Sequence, residues 1–405
     1  MKITKCRICQ SANLSKLFSL GNLAFTGKFP KKKQIIKKKP IEVVICRKCE
    51  LVQLRHNFDL KYLYGPDYGY KTGINKTMLN HVKKVVNTLS NKTKLKIKDS
   101  VLDIASNDGS LLKYYKRGVK TFGIDPILKK YKKEYRKVNY YISDFFSANK
   151  IKKKYKNKFK IITALSVFYD AKDPNKFLQD VKSLLIDDGV FMLEFADLYS
   201  IIKYKMFDTI CHEHLEYYSS KVIIELAKVN NLRVFDIKEN DINGGSKQYY
   251  ICHNNSNYKN NQKIIDKFLN LEKKLKLSEP KTFKKFFKNI QNLKHKLTTL
   301  IKKLKKQDKT LHCYGASTKG NVLLQYFNID NKLIEFAAER NQKKFNLFTP
   351  GTKIKIISEK KSRSYNPDFY LVLPWHFRKE ILKREKFIRT KGTKFIFPLP
   401  TVYTV

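Results

Sequence analysis

The chain has 405 residues, 42% of them hydrophobic, and carries a formal net charge of +50 from 85 Lys and Arg against 35 Asp and Glu. That length accommodates two or three domains with sizeable cores, and the apolar content excludes a disordered chain. The excess charge is mostly lysine, accompanied by much Ile and Asn and spread over the whole length. It reads as solvated surface rather than a phosphate-binding stripe, so nucleic acid is not an expected partner, although the field would attract anionic small molecules. No run approaches the roughly eighteen apolar residues that span a bilayer, and the amino terminus, MKITKCRICQ, is not a signal peptide. A cytoplasmic location without a membrane partner is the expectation, and no obligate protein partner is inferred.

Cys6-x-x-Cys9 and Cys46-x-x-Cys49 form two knuckles, each able to present two sulfurs to one tetrahedral ion. In a reducing compartment these read as thiolates for zinc rather than disulfides. Four sulfurs leave no open coordination position, so the role expected of the metal is structural. The module assigned here, residues 1–70, is small, and the metal should supply much of its folding free energy.

From about residue 98 apolar runs alternate with helical stretches: SVLDIAS, VKTFGID, NYYISDFF, FKIITALSVF and GVFMLEFA. The alternation predicts a parallel sheet with crossover helices. SSKVIIELAKVNN then has helical spacing, LRVFDIK is a strand, and the Asn-Gly-Gly of DINGGSKQYYICH turns a last strand back beside it. Five parallel strands closed by a hairpin make an α/β, class I methyltransferase sheet of seven strands, assigned to residues 71–256. The first strand ends in DIASNDGS, with Asp103, Asn107 and Gly109 in a candidate cofactor turn. Asp125 ends the second strand, where a carboxylate accepts ribose hydroxyls, and Asp144 ends the third, placed for an adenine amino group. Without G-x-G-x-x-G, a pyrophosphate has less backbone access, which favours S-adenosylmethionine over NAD.

TICHEHLEYY, residues 209–218, follows the fifth strand. A zinc protease needs His-Glu-x-x-His on a helix, whereas His212 and His214 are two apart, the spacing of a strand or loop. Its place on the carboxyl side of the sheet points to acid/base work.

Residues 257–308 read as a helical connector, begun by Ser278, Glu279 and Pro280, with an apolar face through Phe283, Phe287, Ile290, Leu293, Leu297 and Leu304. Residues 309–405 form the last unit. There TLHCYGASTKGN is a strand and a turn opening a helix, and Ser317, Thr318 and Lys319 between Gly315 and Gly320 make a candidate phosphate cradle. LVLPWHFRKE places Trp375, His376 and Arg378 at another strand end.

Taken together, CRIC, CRKCELVQL, YGYKTG, DIASNDGSLL, TICHEHLEYY, NGGSKQYY, YGASTKGNVLLQY, ERNQKKF, TPGT, LVLPWHFRKE and FPLP run nearly end to end. In them the chain resembles the sugar C-methyltransferase family, whose members join a zinc-binding module, a class I methyltransferase domain and a Rossmann-like carboxy-terminal domain. The resemblance implies a nucleotide-linked 4-keto-deoxysugar substrate methylated at C3, with His214 as base and Glu213 as its hydrogen-bonding or proton-handling neighbour. It also implies that Tyr68 and Tyr70 close over substrate and cofactor, and that the last domain helps bind the sugar nucleotide. Two departures stand out: Ala105 replaces the family's usual glycine in the cofactor loop, and Lys247 stands where arginine is frequent. Alternative readings are a methyltransferase for an oxygen or another keto acceptor, and a basic RNA-binding or RNA-methylating protein.

Overall fold

A computed structural model describes residues 1–65 and 68–405, so Asp67 of the DYGYKTG segment falls outside it. The amino-terminal strands β1 (Leu14–Ala24), β2 (Lys38–Cys46) and β3 (Val52–Leu54) are antiparallel. The second knuckle is the turn between β2 and β3, and the first precedes β1.

The central sheet begins with five parallel strands: β4 (Ser100–Ile104), β5 (Lys120–Ile124), β6 (Tyr140–Ile142), β7 (Phe159–Leu165) and β8 (Leu185–Phe195). The chain then leaves this sheet, and β9 (Glu216–Tyr217) adds to the amino-terminal one, pairing Val52 with Tyr217 and Gln53 with Glu216. It returns as β10 (Leu232–Asn240) and β11 (Ser246–His253), giving the order β10-β11-β8-β7-β4-β5-β6. Only β11 opposes both its neighbours. β4 is buried along its whole length, as a strand covered on both faces by helices must be. The hairpin turns at Asn243, Gly244 and Gly245, all with positive φ; a Cβ on Gly244 would come 2.5 Å from the Trp375 ring, so close packing as well as turn geometry requires glycine there.

The carboxy-terminal strands are β12 (Leu311–Tyr314), β13 (Phe336–Glu339), β14 (Lys355–Ser358), β15 (Phe369–Val372), β16 (Lys394–Phe397) and β17 (Tyr403–Thr404). Their order, β14-β13-β12-β15-β16-β17, is parallel up to β16 and reverses direction on either side of β12, as in Rossmann-like sheets. The long helix Pro280–Lys306 buries Phe283, Phe286, Ile290, Leu293, Leu297, Ile301 and Leu304. Phe286 takes the stripe position expected of Phe287, which instead stacks at 5.3 Å on Phe18 of β1. Among the described residues no helix is long and apolar enough to cross a membrane.

The carboxyl ends of β4, β5 and β7 face those of β12 and β13 across a cavity of about 590 Å³. Open α/β sheets bind ligands at such ends, and here two of them share one space.

Candidate active site

At the central-sheet end of the cavity, Asp103 accepts from Thr163 Oγ1 at 2.6 Å, and Asp125 accepts from the amides of Asn107 (2.9 Å) and Ile127 (2.8 Å). Burial pushes Asp103 up to about 7 and Asp125 up to about 6. Both carboxylates line the cavity, and lone pairs beyond these bonds can accept from a ligand bearing hydroxyl or ammonium donors. Asn107 accepts from Thr72 N (3.0 Å) and donates to Tyr70 O (3.3 Å), fastening the segment that carries Tyr68 and Tyr70 over the cavity. Ala105 has φ +56°, so it occupies a left-handed conformation suited to glycine rather than an ordinary alanine backbone.

Two expected cofactor residues lie elsewhere. Gly109, with φ +69°, packs where a Cβ would stand 3.2 Å from the Tyr135 ring; it shapes the turn rather than lining the cavity. Asp144 turns outward, because β6 is a three-residue edge strand and its carboxylate pairs with Lys150 Nζ at 2.7 Å. Phe145 and Phe146 face the cavity instead.

The segment after β8 brings Glu213 and His214 to the cavity wall. His214 Nδ1 lies 2.7 Å from the carbonyl of Thr209, and since a carbonyl only accepts, Nδ1 carries the proton and Nε2 holds a lone pair. Burial, then the Lys319 ammonium, lowers the ring to about 3, so it is neutral at ordinary pH. Glu213 accepts from Gly27 N (3.1 Å) and Thr26 Oγ1 (3.2 Å), and burial raises it. A Cβ at Gly27 would come 2.9 Å from Glu213 Oε1, so a side chain there would displace the carboxylate from its present place. His212 leaves the site: its Nε2 bonds Lys39 O at 3.0 Å between the Phe25 and Phe58 rings.

Asp170, absent from the sequence reading, also lines the cavity. Its Oδ2 accepts from Tyr64 OH at 2.6 Å, Oδ1 is buried with no hydrogen-bond partner among the described residues, and burial pushes it well up. The available signal was an acid in the loop after a parallel strand, since SVFYDAKDP follows directly on β7 and carries Asp170 five residues past Leu165.

From the opposite side come Ser317, Thr318, Lys319 and His376. Ser317 caps the helix Thr318–Phe327, accepting from Gly320 N at 3.0 Å. Lys319 donates to Asn243 O at 3.1 Å, and burial lowers its pKa. Trp375 and Arg378 do not line the cavity. Trp375 is buried against Gly244 with its indole N–H on Asp208, and the exposed Arg378 stacks on Tyr403 (5.0 Å) and Phe397 (5.6 Å). Glu339, Arg340 and Arg384 line this side instead; the first two open the ERNQKKF segment, to which the sequence assigns no site role, and Arg384 lies outside all of the segments that carry the resemblance.

Away from the cavity, the sulfurs of Cys6, Cys9, Cys46 and Cys49 lie within 4.8 Å of one another, with Cys6–Cys49 and Cys9–Cys46 at 3.5 Å. Zinc–sulfur bonds of about 2.3 Å in a tetrahedron give sulfur–sulfur edges of about 3.8 Å. The four cysteines therefore fit a structural zinc ion. Lys247 is also remote, fully buried between Asp197 (2.8 Å) and Glu272 (3.2 Å).

A seven-stranded sheet of this order, with two acids at adjacent strand ends and a neutral histidine across the cavity, defines an S-adenosylmethionine-dependent methyltransferase. Family models for a zinc-binding domain (residues 6–64), a methyltransferase domain (74–237) and a C-methyltransferase C-terminal domain (241–400) match in succession. Between them the three models span residues 6–400 of the chain. It is 26% identical over 405 residues to C-methyltransferase NovU of Streptomyces niveus, covering 98% of this chain and 96% of that one. Solved structures similar to part of it include an S-adenosylmethionine-dependent methyltransferase from Clostridium acetobutylicum (13% identity, 43% of this chain, 92% of that one, TM-score 0.35). Another is the plantazolicin methyltransferase BamL (15% identity, 44% of this chain, 86% of that one, TM-score 0.36).

Proposed function

We propose that the protein methylates carbon, at C3, of a nucleotide-linked 4-keto-deoxysugar, with His214 as general base. The observation that carries this reading is the hydrogen bond from His214 Nδ1 to Thr209 O, which leaves Nε2 as a lone pair at the wall of the shared cavity. S-adenosylmethionine, when bound, supplies an electrophilic methyl group. Asp103 and Asp125 would hold its ammonium and hydroxyl donors, and Tyr70 would cover it. Tyr68 and the Ser317–Lys319 turn would hold the sugar nucleotide, and its phosphates would have to compete with Glu380 and Glu359 for Arg340 and Arg384, which those carboxylates pair with.

A ketone at C4 acidifies the proton at C3. His214 Nε2 would take that proton, the electron pair of the C3–H bond passing into an enolate. C3 would then take the methyl group from bound S-adenosylmethionine, the sulfur keeping the electron pair of the broken sulfur–methyl bond and leaving as S-adenosylhomocysteine. The Lys319 ammonium, which disfavours the imidazolium, stabilises the oxygen of the enolate, so the two effects oppose each other within one proton transfer. Glu213 would receive or relay the proton afterwards. The first test is product analysis: with a nucleotide-linked 4-keto-deoxysugar and S-adenosyl-L-[methyl-13C]methionine, carbon NMR should place the label on C3. A methoxy resonance would overturn the reading.

A further inference from the structure

Arg7 sits inside the first knuckle, yet its guanidinium points at the catalytic segment. It is 5% exposed and saturated with partners. Nη1 donates to Leu54 O (2.8 Å) and Gln53 Oε1 (3.1 Å) and reaches Leu215 O (3.4 Å). Nη2 donates to Asn57 Oδ1 (2.7 Å) and His56 O (3.1 Å). Nε donates to Asn57 Oδ1 (3.1 Å) and lies at ion-pair distance, 3.3 Å, from Glu216 Oε1, whose carboxylate has no hydrogen-bond partner among the described residues. Gln53 closes the circuit to the metal ligands, donating Nε2 to Cys6 Sγ at 3.3 Å. Leu215 and Glu216 are the two residues after His214.

The backbone repeats the connection. Leu54 N donates to Leu215 O at 2.8 Å, β9 pairs with β3, and Glu213 and His212 take their partners from Gly27, Thr26 and Lys39 of the same module. The catalytic segment is thus a strand of the zinc module's sheet more than a loop of the methyltransferase sheet. A buried Arg–Glu pair seldom stabilises more than apolar residues of equal volume, so the physical contribution of Arg7 here is register: its charge faces Glu216 while its directional bonds to Leu54 O and Leu215 O fix where residue 214 lies.

We propose that Arg7 is a positioning residue, setting His214 through Leu215 and Glu216, and that the zinc module is the scaffold of the catalytic segment. The proposal rests on His214 being the base. The test uses full-length, zinc-loaded Arg7→Gln and Glu216→Gln, with zinc content, S-adenosylmethionine affinity, kcat, KM and backbone hydrogen exchange measured on each. Zinc content and cofactor affinity should hold within about twofold while kcat falls by about ten- to a hundredfold, the scale of a displaced catalytic group. Exchange should rise in residues 212–217 and leave β4 and β5 unchanged. Arg7→Met/Glu216→Leu guards against simple misfolding, and it should recover thermal stability without recovering kcat. Chelating zinc from the wild-type chain should likewise raise exchange at 212–217 before it does in β4.

Wild-type kcat in both single variants, or loss of zinc in step with loss of activity, would overturn the proposal. Near-normal turnover of His214→Asn would instead sink the base assignment, while the exchange results would still report whether Arg7 holds the segment.

Discussion

The indole N–H of Trp375 donates to Asp208 Oδ2 at 2.8 Å, joining the end of β15 to the residue just before Thr209, whose carbonyl holds His214. The other oxygen of Asp208 is buried without a hydrogen-bond partner among the described residues. Trp375→Phe would strip the carboxylate of its remaining side-chain donor. Unfolding in urea should show a loss of about 1–3 kcal/mol, and kcat should fall while S-adenosylmethionine affinity stays near wild type. Equal losses in cofactor binding and turnover would place the residue's effect elsewhere.

Asp103 and Asp125 give the ligand-free protein a definite pH dependence. Their folded pKa values, about 7 and about 6, lie above the unfolded range, so the folded form keeps protons that the unfolded chain has released. Their contribution to stability is fully present below about pH 4 and is lost as pH rises through about 6 to 7. Asp103→Asn should flatten this decline and raise ligand-free stability at pH 8 by about 1–3 kcal/mol, measured by urea titration at several pH values. The same substitution should weaken S-adenosylmethionine binding. A stability slope equal to wild type contradicts the burial argument.

Lys247 tests the core rather than the chemistry. Burial works against its charged form, but Asp197 and Glu272 outweigh it and raise its pKa. Lys247→Met leaves two buried carboxylates without their cation, at a cost of about 3–5 kcal/mol. Calorimetry should show a markedly lower Tm; a shift of a degree or less would mean the site relaxes to admit water.

Ala105 predicts a gain. A left-handed alanine costs about 1–2 kcal/mol, part of which returns when glycine adds freedom to the unfolded chain. Ala105→Gly should therefore raise stability by up to about 1 kcal/mol without weakening cofactor binding. A destabilised variant would show that the methyl group's packing outweighs its backbone strain.

What was legible in the sequence was local. Acids at the ends of β4 and β5 announce themselves because strand, carboxylate and turn are consecutive, and the two knuckles do so because their spacing is the chemistry. Asp144 obeyed the same rule and failed, since a short edge strand does not fix which way the next side chain points. Trp375 and Arg378 share a segment with His376, yet only packing against Gly244, Phe397 and Tyr403 decides that the histidine alone lines the cavity. The pairing of β9 with β3 had no sequence signal. A two-residue strand has no periodicity, and its partner lies more than 160 residues away. Hence the sequence places residues 209–218 by their chain neighbours, while the fold hangs them on the zinc module.

The most direct measurement of the central claim is hydrogen exchange at the sugar carbon itself. With S-adenosylhomocysteine bound and no methyl donor present, the wild-type enzyme in D2O should wash the C3 proton out of a nucleotide-linked 4-keto-deoxysugar. Purified His214→Asn should do so at least about a hundredfold more slowly, while binding S-adenosylhomocysteine normally. Washout at near the wild-type rate in His214→Asn would contradict the assignment of the base.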